Sequence, residues 1–330
     1  MDLSGAGYVA WDEPSGKSPA EVDAGSECVR ELIVSRPFNS SVAAQHFREL
    51  RVSVWRRGAA GAVGPSRIEG ILTPVSAPVP APVVLVHGIR VSGASLHRIA
   101  AAIPDREVVF PDLPGHGRRV GETFTLASAV DTVVKAIEEL GPPAIVAGMS
   151  MGGYVSMAVA GRRPDLVSGL VAMCATAQPS PFYAAPFRAF GAATAYLPEQ
   201  AAAISRWLTR ASVGRRVADD MEVGGLALAS IKDVVAEVSR FDALGELARY
   251  PGPIEFINGG WDQFRVNERR FEAISPRAHL TVIPRASHLF PLIQPDVTGR
   301  AIATFARAVD AGALRSVSTP DPFRRTSGDG

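Results

Sequence analysis

The run Gly148-Met149-Ser150-Met151-Gly152, followed by Gly153, places a serine between two glycines at the spacing G-x-S-x-G. The residues before it, Ala144 to Gly148, read as a buried strand, and those after it, Met151 to Gly161, as a helix. A strand-to-helix turn this sharp makes side chains two before and two after the serine collide, which explains the glycines. It also pushes the Ser150 hydroxyl out at the carboxyl edge of a sheet. The following helix aims its N-terminus at the same spot and favours developing negative charge there. The chemistry this predicts is nucleophilic attack. The plain alternative is a serine in an ordinary buried turn, and the flanking elements count against it.

A serine nucleophile needs a base, and the base needs an orienting acid. The histidines are His46, His87, His97, His116, His279 and His288. His46 lies before the core, His97 within a helix and His279 at a strand start. His87 ends a buried strand and reads as a turn brace, and His116 sits in a Gly-Pro loop. Only His288 follows the last strand, in Ala286-Ser287-His288-Leu289, where a parallel sheet returns it to the serine's edge. For the acid, Gly259-Gly260-Trp261-Asp262 directly follows a strand at Ile254 to Asn258. The strand ending at Cys174 has no acid after it through Ser180. Ser150, Asp262 and His288 are therefore the predicted catalytic residues, in the chain order expected for such a turn. Asp112 is expected to brace its own Gly-rich loop.

An attacked carbonyl also needs preorganised N–H donors for its oxyanion. Met151 supplies one at the helix start, and Ile89, after His87-Gly88, is nominated for the second. Gly88 keeps a side chain out of the pocket. Arg90 either faces solvent or holds a polar or anionic substrate group. Met149, Trp207 and Trp261 complete the predicted substrate-binding set.

These residues need a parallel α/β sheet to bring them together. Val83 to His87, Glu107 to Asp112, Ala144 to Gly148, Leu166 to Cys174, Ile254 to Asn258 and His279 to Pro284 are short apolar runs of the kind buried on both faces. Helical stretches alternate with them, at Ser95 to Ala102, Leu126 to Leu140, Met151 to Gly161, Asn267 to Ile274 and Pro295 to Val309. Residues 179–250 break the rhythm with helical stripes alone. Ile204, Trp207, Leu208 and Ala211 form one; Ile231, Val234, Val235 and Val238 form another. This block reads as a helical cap over the strand ends, and Phe182, Phe187, Phe190, Trp207 and Leu208 are expected to supply apolar walls. The expected organisation is an irregular segment over 1–45, the first half of the core over 46–178, the cap over 179–250, the second half over 251–310 and a disordered tail over 311–330. Two further strands are expected before Val83, one around Leu50, Val52 and Val54, the next near Arg67 to Leu72, with a stiff proline-rich connector at Pro74 to Pro82.

The chain has 330 residues, with 34 Lys+Arg against 33 Asp+Glu and 47% apolar content. A net charge of +1 gives no long-range pull on nucleic acid or anionic membrane. Gly141 to Gly161 carries no charge, but two prolines and five glycines argue against a membrane span. Two separated cysteines, Cys28 and Cys174, and no signal peptide fit a reducing, cytoplasmic setting. No Cys/His cluster has zinc spacing and no phosphate loop is present, so no metal or cofactor is expected. The expected partner is a small-molecule substrate, and the oligomeric state is open.

From about Val83 to Ala306 the chain resembles the α/β-hydrolase superfamily, in its esterase, lipase and cofactor-free haloperoxidase-like branch. The matching residues are Val86-His87-Gly88-Ile89, Phe110-Pro111-Asp112-Leu113-Pro114-Gly115-His116-Gly117, Gly148 through Gly153, Gly260-Trp261-Asp262 and Ser287-His288. The resemblance implies that Ile89 gives the second oxyanion donor and that a helical cap follows the strand ending at Cys174. Two positions depart from the pattern: Met149 stands where a histidine or aromatic residue is usual, and Ser287 where glycine is. The expectation is a serine hydrolase of a carboxylic ester, thioester or lactone with a hydrophobic group. Its rivals are acyl transfer, cyclisation or C–C bond cleavage by the same residues, a non-catalytic receptor on this scaffold, and an interaction protein acting through its N-terminal arm.

Overall fold

The computed structural model describes residues 33–34, 52–57, 63–67, 79–196 and 198–314. The chain divides after Pro78 into two units. The break expected after residue 45 lies outside the described residues, as does the tail from 315.

In the first unit, β1 (Ile33–Val34), β2 (Val52–Arg57) and β3 (Val63–Arg67) form an antiparallel sheet in that order. β1 falls in the stretch read as irregular. β3 occupies residues read as a Gly-rich turn, so the second strand comes earlier than Arg67 to Leu72. Its pairing of Trp55 with Pro65 shows why the sequence misleads there, since proline signals a strand edge or none.

The second unit is built on six parallel strands. They are β4 (Val83–Val86), β5 (Val108–Val109), β6 (Ala144–Met149), β7 (Val167–Met173), β8 (Ile254–Gly259) and β9 (Ala278–Ile283). Their order across the sheet is β5-β4-β6-β7-β8-β9. β5 is the short edge strand, ending two residues before Pro111, which cannot donate to a ladder. Successive side chains alternate between two apolar layers, as a strand's period of two requires. Val84, Val86, Val146, Leu170 and Ala172 enter one core with α2 (Leu126–Leu140) and α3 (Met151–Arg162). Val83, Leu85, Ile145, Ala147, Val171 and Met173 enter the other, where Ile99 of α1 (His97–Ala101) also packs. Both faces are covered, which is why the central strands read as unbroken apolar runs.

Between β7 and β8 the chain makes only helices: α4 (Pro181–Tyr196), α5 (Pro198–Val213), α6 (Arg215–Glu222), α7 (Ile231–Val238) and α8 (Ala243–Leu247). The core resumes with α9 (Glu268–Glu272), α10 (Phe290–Ile293) and α11 (Pro295–Asp310), whose Ile302 and Phe305 join the second apolar layer. The chain leaves β4 toward β5 and returns to β6 on β4's other side. The crevice between β4 and β6, at their carboxyl ends, is where such sheets offer a ligand site. Among the described residues no helix is long and apolar enough to cross a membrane.

Candidate active site

Ser150 stands between β6 and α3 with φ 53 and ψ −119, a conformation rare for a residue with a side chain. The turn is held by the Ser150 N–H donating to the Met173 carbonyl at 2.8 Å. A Cβ on Gly148 would run into the Gly152 carbonyl, and one on Gly152 into the Val86 carbonyl. The glycine spacing thus has the steric origin inferred from the sequence.

The loops after β8 and β9 bring Asp262 and His288 to this serine. His288 Nε2 lies 3.0 Å from Ser150 Oγ, and His288 Nδ1 lies 2.9 Å from Asp262 Oδ1. Asp262 is buried, and its Oδ1 also accepts the Phe264 N–H at 2.9 Å. Burial pushes the Asp262 pKa up, but the hydrogen bond and charge of His288, with the Phe264 N–H, hold it below the usual carboxylate range. Its other oxygen, Oδ2, is buried without a hydrogen-bond partner among the described residues. The Cys174 thiol approaches this carboxylate without meeting hydrogen-bond geometry; burial first, and Asp262 second, raise its pKa well above the ordinary thiol value. Cys174, Asp262 and His288 are the one group of potential metal ligands among the described residues, with donor atoms within 4.8 Å of one another. His288 turns Nδ1 to Asp262 and Nε2 to Ser150 Oγ, an arrangement that suits a proton relay.

Two cavities meet at Ser150. The smaller, of about 90 Å³, is lined by apolar groups including Met151, Tyr154, Val234 and Val238. The larger, of about 540 Å³, is lined by Gly88, Arg90, Met149, Ser205 and His288 among others. Ile89, Phe187 and Phe264 border both. The Ile89 and Met151 N–H groups, nominated as oxyanion donors, have no hydrogen-bond partner among the described residues. Gly88 is not sterically compelled: a Cβ there would make ordinary contacts, 3.7 Å from Ser150 Cβ, on the cavity wall.

Two predicted substrate contacts do not reach either cavity. Trp207 is 68% exposed and Trp261 is 71% exposed, and neither lines a cavity wall. Trp207 lies on the outer face of α5, because the helix turns Ser205 and Thr209 inward instead. Trp261 precedes the inward Asp262 in a tight loop and so points away from it. Phe182 is also exposed, whereas Phe187 and Leu208 line cavities as expected; the Phe190 side chain lies outside the described residues.

Phe264 was not singled out from the sequence. Its ring lies 4.8 Å from the His288 ring and 5.8 Å from that of Phe187 on α4, between the histidine and that helix. An aromatic two residues after the acid was the only available signal. His87 and Asp112 act as braces. The Leu113 N–H donates to His87 Nε2 at 3.1 Å, leaving the Nδ1 proton for the Gly88 carbonyl at 2.9 Å. Asp112 accepts the Gly93 N–H at 2.9 Å and the Arg118 N–H at 3.0 Å.

Comparison with known proteins places the chain. Residues 83–301 match the model of the alpha/beta hydrolase family. The lipase LipV of Mycobacterium tuberculosis is 37% identical over 94 residues, which is 28% of this chain and 36% of the lipase. The pimeloyl-[acyl-carrier protein] methyl ester esterase of Neisseria meningitidis is 36% identical over 100 residues, covering 29% of this chain and 36% of the esterase. The chain thus spans about a third of the length of these two relatives. The uncharacterized hydrolase YugF of Bacillus subtilis is 25% identical over 248 residues, 68% of this chain and 89% of YugF. Among solved structures, a hydrolase from Pseudomonas aeruginosa superposes with TM-score 0.60 at 22% identity, covering 77% of this chain and 97% of its own. An esterase from Thermogutta terrifontis gives 0.57 at 23%, covering 70% and 90%. At these identities the structures speak for the fold alone. With the family match running from β4 into α11, the chain belongs to the alpha/beta hydrolase family of enzymes.

Proposed function

We propose that this enzyme is a serine hydrolase that opens a carboxylic ester, thioester or lactone with a hydrophobic acyl group, through an acyl-enzyme on Ser150. The observation that carries this reading is the relay of short contacts, 3.0 Å from Ser150 Oγ to His288 Nε2 and 2.9 Å from His288 Nδ1 to Asp262 Oδ1. His288 takes the hydroxyl proton as Ser150 Oγ attacks the carbonyl carbon. Asp262, held ionised, stabilises the imidazolium and fixes its tautomer. The Ile89 and Met151 N–H groups receive the oxyanion, aided by the N-terminus of α3. When the tetrahedral centre collapses, the C–O bond, or the C–S bond of a thioester, breaks and His288 returns the proton to the leaving alcohol or thiol. Water, deprotonated by the same histidine, then releases the acid.

His288 lines the larger cavity and not the smaller one. The leaving group, which receives its proton from His288, therefore sits in the larger cavity, and the acyl group in the apolar one. The test is a series of aryl esters of rising acyl length. Each methylene buried is worth about 0.8 kcal/mol, or roughly fourfold in kcat/KM until the cavity is full. A rise over the first few carbons followed by a plateau is expected from the small cavity. A flat or falling profile from acetate onward would remove the apolar acyl site.

A further inference from the structure

Arg90 ends the turn after β4 with φ 72, a left-handed conformation that arginine rarely adopts. The backbone is held there from the cap: the Ala227 N–H donates to the Arg90 carbonyl at 2.8 Å. The side chain runs along the larger cavity, and Nη1 donates to Ser205 Oγ at 2.6 Å. Ser205 is 1% exposed, and Thr209 and Ser212, further along α5, line the same wall. No carboxylate pairs with Arg90 among the described residues, and no Asp or Glu lines this cavity. Burial alone pulls the guanidinium pKa down, with no nearby anion to offset it. A charge withdrawn from water without a counter-ion is costly. A strained backbone that fixes such a charge beside a reacting serine points to an anion that arrives with the ligand. Among the described residues Arg90 and His288 are the only basic side chains on this wall. One fixed cation suits a monoanion, and the planar guanidinium fork matches a planar carboxylate.

We infer that Arg90, steadied by Ser205, binds a carboxylate on the leaving group, so that the enzyme acts on esters of hydroxy acids whose acyl part is short and apolar. This rests on the reading of Ser150 as nucleophile and His288 as the proton donor to the leaving alcohol. It makes Arg90 a specificity-determining residue and gives the larger cavity a chemical identity that its size alone does not.

The experiment compares butyrate esters of a short series of ω-hydroxy acids with their primary amides, which match in shape and lack the charge. For the wild-type enzyme, at the best chain length, kcat/KM is expected to favour the carboxylate by roughly 10- to 100-fold, the range of a charge-assisted pair in a shielded site. Arg90→Met should bring that ratio to about one, and Arg90→Lys should restore part of it. Equal rates for acid and amide in the wild type, or a preference that survives Arg90→Met, would overturn the inference. The wild-type ratio alone decides if Arg90→Met fails to fold. A second arm needs no chemistry: the free ω-hydroxy acids are titrated calorimetrically into Ser150→Ala protein, with and without Arg90→Met. Binding that depends on Arg90 is expected, and no binding in Ser150→Ala would overturn the inference. If neither ester series turns over, the hydrolase reading fails, and the titration still decides the role of Arg90.

Discussion

The carboxyl edge of the sheet and helix α5, from the helical block between β7 and β8, face the same cavity, yet they are specified in different ways. At the sheet edge, Ser150, Asp262 and His288 come from three loops far apart in sequence and meet within hydrogen-bond reach. Their positions follow from strand order, and strand order follows from apolar runs buried on both faces. On α5 the apolar Ile204 and Trp207 face outward and Leu208 sits half-exposed at the cavity wall, while Ser205 and Thr209 are buried. In the same helical block α7 behaves conventionally, with Ile231, Val234 and Val235 buried. Periodicity places residues on one face of a helix, but it does not say which face meets the protein. In a sheet the backbone ladder settles that question; in a cap it depends on what the helix covers. Here α5 covers a cavity that contains a guanidinium, and its hydroxyls turn toward it.

The contrast gives expected outcomes of decreasing size. Asp262→Asn should keep the fold and lower kcat by roughly 10⁴, because an amide favours the wrong histidine tautomer. Asp112→Asn should leave the chemistry far less affected, since Asp112 holds the Gly93 and Arg118 N–H groups of its own loops and does not touch the relay. Steady-state kinetics on both variants check this, and a dead Asp112 variant beside an active Asp262 variant would reverse the assignment of the acid.

A smaller effect comes from a brace of the sheet edge. Burial first, and the neighbouring His116 second, lower the His87 pKa from 6.5 to about 3. The native ring therefore stays neutral where the unfolded chain takes up a proton. The unfolded state binds more protons between those values, so stability contributed by neutral His87 is complete above about pH 6.5 and is lost as pH falls toward 3. His87→Gln, which keeps an acceptor for the Leu113 N–H, should flatten part of the slope of unfolding free energy over that window. Urea titrations at several pH values would show it; an unchanged slope would mean that His87 is not buried neutral.

The smallest effect separates the cavity-facing and outward-facing sides of α4 and α5. Phe187 borders both cavities and packs on Phe264. Phe187→Ala should cost about 1 kcal/mol of transition-state binding, close to fivefold in kcat/KM for a butyrate ester. Trp207→Ala, on the exposed face, should change kcat/KM by less than about twofold and stability by less than about 0.5 kcal/mol. Equal losses in the two variants would put Trp207 back on the cavity wall.

Much of the core is legible in the sequence. The Gly148-x-Ser150-x-Gly152 turn, the strands around it and the loops holding Asp262 and His288 could be read because each depends on local sterics or on a period of two. Three things were not legible. The facing of α5 depends on a tertiary partner, Arg90, 115 positions away. The role of Phe264 depends on its tilted ring contact with His288, a contact between two loops. β3 carries Pro65 within its pairing, where composition argues for a turn. Trp207 and Trp261 are large and apolar, and apolar area alone does not fix a direction.

The most direct test of the central claim is covalent labelling with a fluorophosphonate followed by peptide mapping. The account predicts a single active-site adduct on Ser150, absent from a folded Ser150→Ala variant whose turnover has dropped by about 10⁴ to 10⁶. Labelling that persists in Ser150→Ala, or an adduct mapped to another residue, would contradict it.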